Sequence, residues 1–243
     1  MIMDRRGVAI VGAGPAGLVI AHLLQREAIP FVVFERQALA ELARRPKAGL
    51  VEYRTVRGLT HEGIAGRVVR FTTENHRCEF RTPDESVLLE YAALTGGRPH
   101  YIYPQHELVQ RLCEALTAAG GEIRFGHAVR AVTQDSSGVV LSVEGPDGEL
   151  SQVRCEAAVG CDGSGSLVSA AMTKAQVNEQ LLPGRFVVIV AAAPPLERHT
   201  IYAAHPRGLP GRCAAARLRR AITWRSPVPT PPRTGRNNGS AAS

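Results

Sequence analysis

Val8-Ala9-Ile10-Val11-Gly12-Ala13-Gly14-Pro15-Ala16-Gly17-Leu18 is followed at residues 31–34 by a second apolar run, which leads directly into Glu35. This order predicts a strand, a glycine turn, a helix, a second strand and an acidic residue. Gly12 permits the tight turn, Gly14 lets the backbone come close to a pyrophosphate, and Gly17 lets the helix pack closely on the strand. The stretch therefore predicts an α/β unit of the dinucleotide-binding type.

The predicted helix begins near Pro15, and its N-terminus is a candidate anion site. Unpaired backbone N–H groups and the positive end of the helix dipole both favour a pyrophosphate at that position. Glu35 ends the second strand, where its carboxylate can accept hydrogen bonds from a ribose. Glycine turns also occur in α/β proteins that bind no nucleotide, but the turn, both strands and the acid together predict nucleotide binding.

The net charge of +7 belongs to the last part of the chain. Residues 209–243 contain seven arginines and no acidic residue, so the preceding residues hold 22 basic and 22 acidic side chains. A nucleic-acid-binding surface needs clustered positive charge on a folded face. We therefore expect no nucleic-acid partner.

The five cysteines form no Cys-x-x-Cys pair, and their number is odd. Reduced thiols in a cytoplasmic protein are the expectation from this pattern. Residues 8–20 are apolar after a basic N-terminus, but glycines and a proline interrupt them, and no other run is long and apolar enough to span a membrane. We expect a cytoplasmic protein with no membrane partner.

Two His-Glu pairs, His61-Glu62 and His106-Glu107, resemble the start of a zinc-protease helix. Neither pair has a second histidine at the fourth step, so we expect surface or capping roles and no bound metal. No serine lies in a nucleophile-elbow pattern, so hydrolase chemistry lacks a candidate residue.

The middle of the chain alternates between helical and strand patterns. Leu108, Val109, Leu112 and Leu116 recur at helical spacing before Gly120, which predicts a helix over residues 105–119. Strands are predicted at residues 123–132, 139–143, 153–159 and 186–190, with the first three forming a three-stranded insertion or a sheet edge. The basic residues at 44–47 precede Ala48-Gly49 and predict either a loop beside an anion or a solvated loop.

A second motif ends the strand at residues 153–159: Val159-Gly160-Cys161-Asp162-Gly163. Besides the opening stretch, four other segments accompany it: Glu35-Arg36-Gln37, the basic loop before Ala48-Gly49, Tyr103-Pro104-Gln105, and Ile201-Tyr202 before His205-Pro206-Arg207-Gly208. Over residues 7–208 this combination resembles the FAD-dependent aromatic hydroxylases, and in particular those that act on 4-hydroxybenzoate. The resemblance implies a Rossmann-like FAD-binding fold with an inserted β-sheet substrate region, occupying residues 1–208.

The resemblance also implies which residues contact the cofactor and the substrate. The residue matching Ala16 lies at the pyrophosphate, Glu35 holds the adenosine ribose, and Tyr202 hydrogen-bonds the substrate phenol and assists catalysis. The full set of cofactor residues so implied is Gly12, Gly14, Ala16, Gly17, Glu35, Arg36, Gln37, Arg45, Pro46, Lys47, Ala48, Gly49, Leu50, Gln105, Asp162 and Gly163.

The activity implied by the resemblance is hydroxylation of 4-hydroxybenzoate to 3,4-dihydroxybenzoate, with NADH or NADPH as electron donor, O2 as oxidant, and a homodimeric assembly. Four positions depart from the family pattern. Lys47 replaces an arginine, Gly165 a histidine, Ser169 an arginine and Glu41 a tyrosine. Because a carboxylate at Glu41 would repel a 2′-phosphate, we expect a preference for NADH or use of both donors.

The resemblance ends near Leu209. The Ser and Arg that would hold the substrate carboxylate are absent beyond it, and the dipeptide Gly-Asp occurs nowhere in the sequence. Arg, Pro, Ala, Gly and Ser without acidic residues predict disorder for residues 209–243 and a C-terminally truncated fold, which a shifted reading frame would explain. The alternative origin is an arginine-rich arm for RNA or acidic membranes, although aromatic and amphipathic spacing are lacking.

Three functions are compatible with these patterns: a flavin hydroxylase, a truncated chain that binds nucleotide weakly without catalysis, and a nicotinamide-dependent dehydrogenase that shares only the glycine turn. The motif at Asp162-Gly163 and the sequence around Tyr202 count against the dehydrogenase. The loss of the family's C-terminal elements counts against autonomous catalysis.

Overall fold

The structure, a computed structural model, describes residues 3–44, 49–64, 73–172, 185–191, 200–203, 211–215 and 220–226. One six-stranded sheet has the strand order β8-β2-β1-β11-β10-β9. Strands β8, β2, β1 and β11 run parallel to one another, while β10 and β9 continue the sheet in antiparallel fashion. In chain order these strands are β1 (Met3–Val11), β2 (Phe31–Glu35), β8 (Ile123–Phe125), β9 (Ala128–Asp135), β10 (Gly138–Glu144) and β11 (Leu150–Gly160).

Helix α1 (Pro15–Arg26) connects β1 to β2, as the opening stretch predicts. Helix α5 (Gln105–Ala118) packs beside α1 and ends near the predicted residue. The α/β fold class is thereby confirmed. The remaining helices are short: α2 (Leu39–Arg44), α3 (Tyr53–His61), α4 (Tyr91–Leu94) and α6 (Leu167–Ala171).

The hydrophobic core lies on both faces of this sheet. Alternate residues of β1 and β2 point to opposite faces, because side chains alternate along a strand. Ile10 and Val33 pack under α1 and α5, where Leu112 and Leu116 are almost fully buried. A second cluster joins residues of β1, β2, β10, β11 and α6, namely Ala9, Val11, Val32, Phe34, Leu141, Val143, Val153 and Val168.

One predicted strand, residues 123–132, is two strands in the structure. Gly126 has a φ of +70°, which breaks the extended backbone between β8 and β9. The backbone N–H of His127 donates to the carbonyl of Glu35 at 2.9 Å, so the break lies against the end of β2. As a result β8 and β9 occupy opposite edges of the same sheet. The expected sheet edge from β9 to β11 is confirmed.

A second six-stranded sheet has the order β12-β15-β14-β13-β5-β6. Its strands are β5 (Cys78–Arg81), β6 (Ser86–Leu89), β12 (Arg185–Ala191), β13 (Thr200–Ala203), β14 (Gly211–Ala215) and β15 (Arg220–Ser226). Strand β12 contains the strand predicted at residues 186–190. A third, three-stranded sheet has the order β3-β7-β4 and consists of β3 (Leu50–Glu52), β4 (Thr73–Asn75) and β7 (His100–Ile102).

Strands β14 and β15 fall within residues 209–243, for which the composition predicts disorder. For these two segments the prediction is wrong. Ile222-Thr223-Trp224 combines β-branched and aromatic residues that favour a strand, and β15 pairs with β12 along its whole length. The other residues of 209–243 lie outside the described residues. The origin of this segment in a shifted reading frame stays a prediction, which resequencing the codons for residues 205–212 tests.

Within the described ranges, no helix is both long enough and apolar enough to cross a membrane.

Candidate functional site

The glycine turn after β1 can be built only with glycine at two of its positions. Gly12 has a φ of +104°, and a Cβ there would lie 2.4 Å from the carbonyl oxygen of Cys161. A Cβ at Gly17 would lie 2.0 Å from the carbonyl oxygen of Gly12. Both distances are far below van der Waals contact, so any side chain at either position would displace the turn.

Gly14 differs from these two glycines because it faces open space. No atom lies within 4 Å of a Cβ built at Gly14. It is the N-cap residue of α1, and no side chain caps this helix end. The first-turn N–H groups have no intrahelical acceptor, and together with the helix dipole they favour an anion. The open space at Gly14 is therefore available to a ligand phosphate.

Glu35 ties the glycine turn to the end of β2. Its side chain is buried, with 7% of its surface exposed. Oε2 accepts a hydrogen bond from the backbone N–H of Ala13 at 2.9 Å, and Oε1 accepts one from the N–H of Gln37, also at 2.9 Å. An ionised carboxylate has about four acceptor sites, so capacity remains for ribose hydroxyls.

The second motif lies directly beside the glycine turn. The backbone N–H of Cys161 donates to the carbonyl of Val11 at 2.8 Å, which places Asp162 and Gly163 at the ends of β1 and β11. The Asp162 carboxylate accepts hydrogen bonds from Ser166 Oγ and from the N–H of Leu167, each at 2.6 Å. These bonds hold the start of α6.

Burial by itself would raise the pKa of the Asp162 carboxyl. The hydrogen bonds from Ser166 and from the backbone of α6 outweigh it and hold the pKa below the ordinary aspartate value. The Asp162 side chain therefore fixes the start of α6 beside the glycine turn.

A narrow cleft of about 40 Å³ opens at the N-terminus of α1. Gly14, Gln37 and Gln105 line it, so the structure brings together three predicted cofactor residues from distant parts of the chain. Gly49 lies nearby: a Cβ there would be 1.6 Å from the carbonyl oxygen of Tyr103, which is two residues before Gln105. The remaining lining residues are Pro15, Leu42, His106 and Val109.

Among the described residues, the other predicted cofactor residues do not line this cleft. Ala16 and Arg36 are exposed, and Leu50 lies on β3 and lines a different cavity. Arg45, Pro46, Lys47 and Ala48 lie outside the described residues.

His106 was expected to have a surface or capping role, and this expectation is wrong. Its side chain is only 9% exposed, it lines the cleft, and its Nδ1 is buried without a hydrogen-bond partner among the described residues. The signal for burial is present in the sequence, because His106 lies three residues before Val109 and seven before Cys113 on the apolar face of α5. His61, by contrast, is exposed and lies 3.2 Å from Glu62.

Tyr202 lies on β13, in register with Phe80 of the parallel strand β5 and with Arg212 of β14. The backbone thus places Tyr202 inside the second sheet. Residues 204–210, which include the local match that follows Tyr202, lie outside the described residues. No group of three or more His, Cys, Asp or Glu side chains in the described part of the chain could hold a metal ion.

The family model described as FAD binding domain matches residues 5–238. The chain belongs to this family. The match extends beyond the resemblance noted over residues 7–208 and includes β14 and β15. The glycine turn, the buried acid and the cleft at α1 all lie within the residues that the FAD binding domain model matches.

Three relatives illustrate the breadth of the family. The chain is 30% identical over 205 residues to the 3-(3-hydroxy-phenyl)propionate/3-hydroxycinnamic acid hydroxylase of Klebsiella pneumoniae, an alignment covering 80% of this chain and 35% of that protein. It is 27% identical over 212 residues to the p-hydroxybenzoate hydroxylase of Acinetobacter baylyi, covering 83% of this chain and 50% of that protein. The flavin-dependent monooxygenase PieE, crystallised with FAD and substrate, superposes with a TM-score of 0.79 at 25% identity, covering 93% of this chain and 44% of that one.

The chain thus spans about a third to half of the length of these curated relatives. The predicted family is confirmed. The predicted special similarity to hydroxylases of 4-hydroxybenzoate is not, because hydroxylases of other aromatic compounds match equally well.

Proposed function

We propose that the chain binds FAD at the N-terminus of α1 and serves in flavin-dependent hydroxylation of an aromatic ring. The observation that carries this proposal is the convergence of Gly14, Gln37 and Gln105 around one open helix N-terminus. Membership of the FAD binding domain family supports it. The proposed substrate is 4-hydroxybenzoate, the product 3,4-dihydroxybenzoate, the oxidant O2 and the electron donor NADH or NADPH.

The residues present fit FAD. Gly14 leaves the space that a pyrophosphate needs, and the uncapped N–H groups of α1 supply donors to it. Glu35 is held at the end of β2 and retains acceptor capacity for the adenosine ribose. Gln37 and Gln105 supply amide groups at the cleft, and the buried Nδ1 of His106 gives a further polar atom beside it.

FAD, when bound, supplies the two-electron and oxygen chemistry of the reaction. The proposed task of the protein is to hold the phenol ring near the flavin, exclude water and favour the phenolate. Tyr202 is assigned the last of these tasks. A hydroxyl that donates a hydrogen bond to the phenolate oxygen favours the charged form and lowers the pKa of the substrate phenol. The ring carbon next to the phenolate then becomes more nucleophilic.

A second candidate is FAD binding without turnover. It is favoured by Gly165 and Ser169, which stand where the resembling hydroxylases carry a histidine linked to nicotinamide binding and an arginine. A dehydrogenase that shares only the glycine turn is not supported, since the match to the FAD binding domain covers residues 5–238.

The deciding experiment has two stages on the purified full chain. FAD is titrated and followed by visible absorbance and flavin fluorescence, and then NADH, 4-hydroxybenzoate and O2 are added and 3,4-dihydroxybenzoate is measured by chromatography. Saturable binding with product formation supports the hydroxylase. Binding without product supports the second candidate, and a folded chain that binds no FAD overturns both.

A further inference from the structure

A second cavity, separate from the cofactor cleft, lies between α3, α4 and β7. Its volume is about 780 Å³, within the range of pockets that take small organic ligands. It is lined by Leu50, Glu52, Tyr53, Arg54, Arg57, Gly58, His61, Cys78, Tyr91, Thr95, Arg98, Pro99 and His100.

The wall of this cavity is apolar and aromatic. Cys78 and Pro99 are buried. The rings of Tyr91 and His100 lie 4.9 Å apart at an interplanar angle of 33°, and Tyr91 donates a hydrogen bond to the carbonyl of Asn75, which fixes its ring. Flat apolar and aromatic surfaces of this kind favour an aromatic ligand, because ring stacking adds to the burial of apolar area.

The rim of the cavity is cationic. Arg54, Arg57 and Arg98 line it together with one acidic residue, Glu52. Glu52 is engaged by Arg54 at 2.7 Å. In the described ranges, no acidic side chain pairs with Arg57 or Arg98, so two guanidinium groups remain for an anion. Guanidinium binds carboxylate and phosphate with well-defined geometry, which makes arginine suited to this role.

The cavity adjoins both parts of the proposed active site. Leu50 follows Gly49, whose backbone lies against Tyr103 near the cofactor cleft. On the other side, Cys78 is in register with Thr200, two residues before the pair formed by Phe80 and Tyr202. The cavity therefore lies between the segment that approaches the cofactor and the strand that carries Tyr202.

We propose that this cavity binds an anionic aromatic ligand, with its ring against Tyr91 and His100 and its anionic group held by Arg57 and Arg98. This inference deepens the proposed function, since it assigns a place to a charged reactant. The chemistry fits an aromatic carboxylic acid, and it also fits a nicotinamide dinucleotide, which joins flat rings to phosphates.

The test compares the wild-type chain with the double variant Arg57→Gln/Arg98→Gln by isothermal titration calorimetry. The probes are 4-hydroxybenzoate, its neutral analogue 4-hydroxybenzamide, and NADH. Arg130→Gln serves as the matched control, because Arg130 is an exposed arginine that pairs with Glu144 on the β9–β10 hairpin. FAD binding and circular dichroism are measured on every variant.

We expect at least one anionic probe to bind the wild-type chain and the Arg130→Gln variant equally, and to bind the double variant at least tenfold more weakly. A loss confined to 4-hydroxybenzoate, with 4-hydroxybenzamide binding weakly throughout, identifies the aromatic acid. A loss confined to NADH identifies the dinucleotide.

Unchanged affinity of the double variant for both anions, or no binding of either anion to a folded wild-type chain, overturns the proposal. The FAD titration tests the proposed function independently. If the chain binds the anions through these arginines but binds no FAD, the cavity proposal stands and the proposed FAD function is overturned.

Discussion

The carboxylate of Glu35 accepts a hydrogen bond from the backbone N–H of Ala13, across 22 residues of sequence and at a distance of 2.9 Å. The acid that the sequence assigns to a ligand ribose thus also holds the glycine turn in place without any ligand. Its second oxygen fixes the backbone at Gln37, which lines the cofactor cleft. Stability of the turn and recognition of the cofactor therefore depend on the same side chain.

Replacing Glu35 with Gln tests this double role. An amide presents one N–H2 group where the carboxylate accepts a bond, so one of the two backbone donors loses its acceptor inside the protein. A buried donor without an acceptor costs about 1–3 kcal/mol. We expect the free energy of unfolding in urea to fall by that amount and FAD to bind more weakly. Glu149→Gln, at an exposed residue before β11, is the control and should leave both quantities unchanged.

The two kinds of glycine in the turn predict two different phenotypes. Gly12→Ala places a Cβ 2.4 Å from a carbonyl oxygen at a φ of +104°, so we expect loss of folded protein. Gly14→Ala meets no protein atom within 4 Å, so the chain should fold normally but bind FAD at least tenfold more weakly, because the methyl group occupies space for the pyrophosphate.

Gly58→Ala is the matched control for Gly14→Ala, since Gly58 also has open space around it but lies in α3. Thermal unfolding and FAD titration of the three variants separate the effects. Wild-type FAD affinity in a folded Gly14→Ala variant would contradict the assigned pyrophosphate site.

Asp162 predicts a dependence of stability on acid pH. Its folded-state pKa lies below the ordinary value, because the α6 hydrogen bonds outweigh burial. Its stabilising effect is therefore complete above the ordinary carboxyl pKa of about 4 and is lost as the pH falls through the lower folded-state pKa.

We expect Asp162→Asn to lose about 0.3–1 kcal/mol of unfolding free energy at pH 7, because the amide keeps an acceptor for the backbone of α6 but loses the negative charge that a helix N-terminus favours, and to lose less at pH 3. Urea unfolding at both pH values measures this difference. Asp147→Asn, in the exposed turn between β10 and β11, should show no such change. An equal loss for Asp162→Asn at pH 7 and pH 3 would show that the charge of Asp162 is not involved.

Glu41 carries the proposed preference for NADH. It lies exposed on α2, where its carboxylate approaches the backbone N–H of Ala38 at 3.4 Å. If the chain turns over, Glu41→Gln should lower KM for NADPH several-fold and leave KM for NADH unchanged, because only NADPH carries the 2′-phosphate. Steady-state kinetics with both donors decide the point. A wild-type KM that is lower for NADPH than for NADH would refute the preference.

The amino-acid sequence determined the first strand, helix and strand, because the signals for these elements are local. Apolar runs predict β1 and β2, Pro15 begins α1, Gly12 is required by its φ of +104°, and Gly17 is required by its contact with the carbonyl oxygen of Gly12. The sequence also predicted helix α5 and the acid at Glu35. Its composition gave no sign of β14, because an average over residues 209–243 conceals short segments that pair within a sheet.

Only the tertiary structure decided which of these elements contact one another. The break at Gly126 sends β8 and β9 to opposite edges of one sheet, which depends on pairing with β2 and β10. The Asp162 carboxylate holds α6, and the cleft joins Gly14 to Gln105 across 91 positions of sequence. Contacts between residues so far apart depend on how sheets and helices pack, and periodicity along the chain contains no information about that packing.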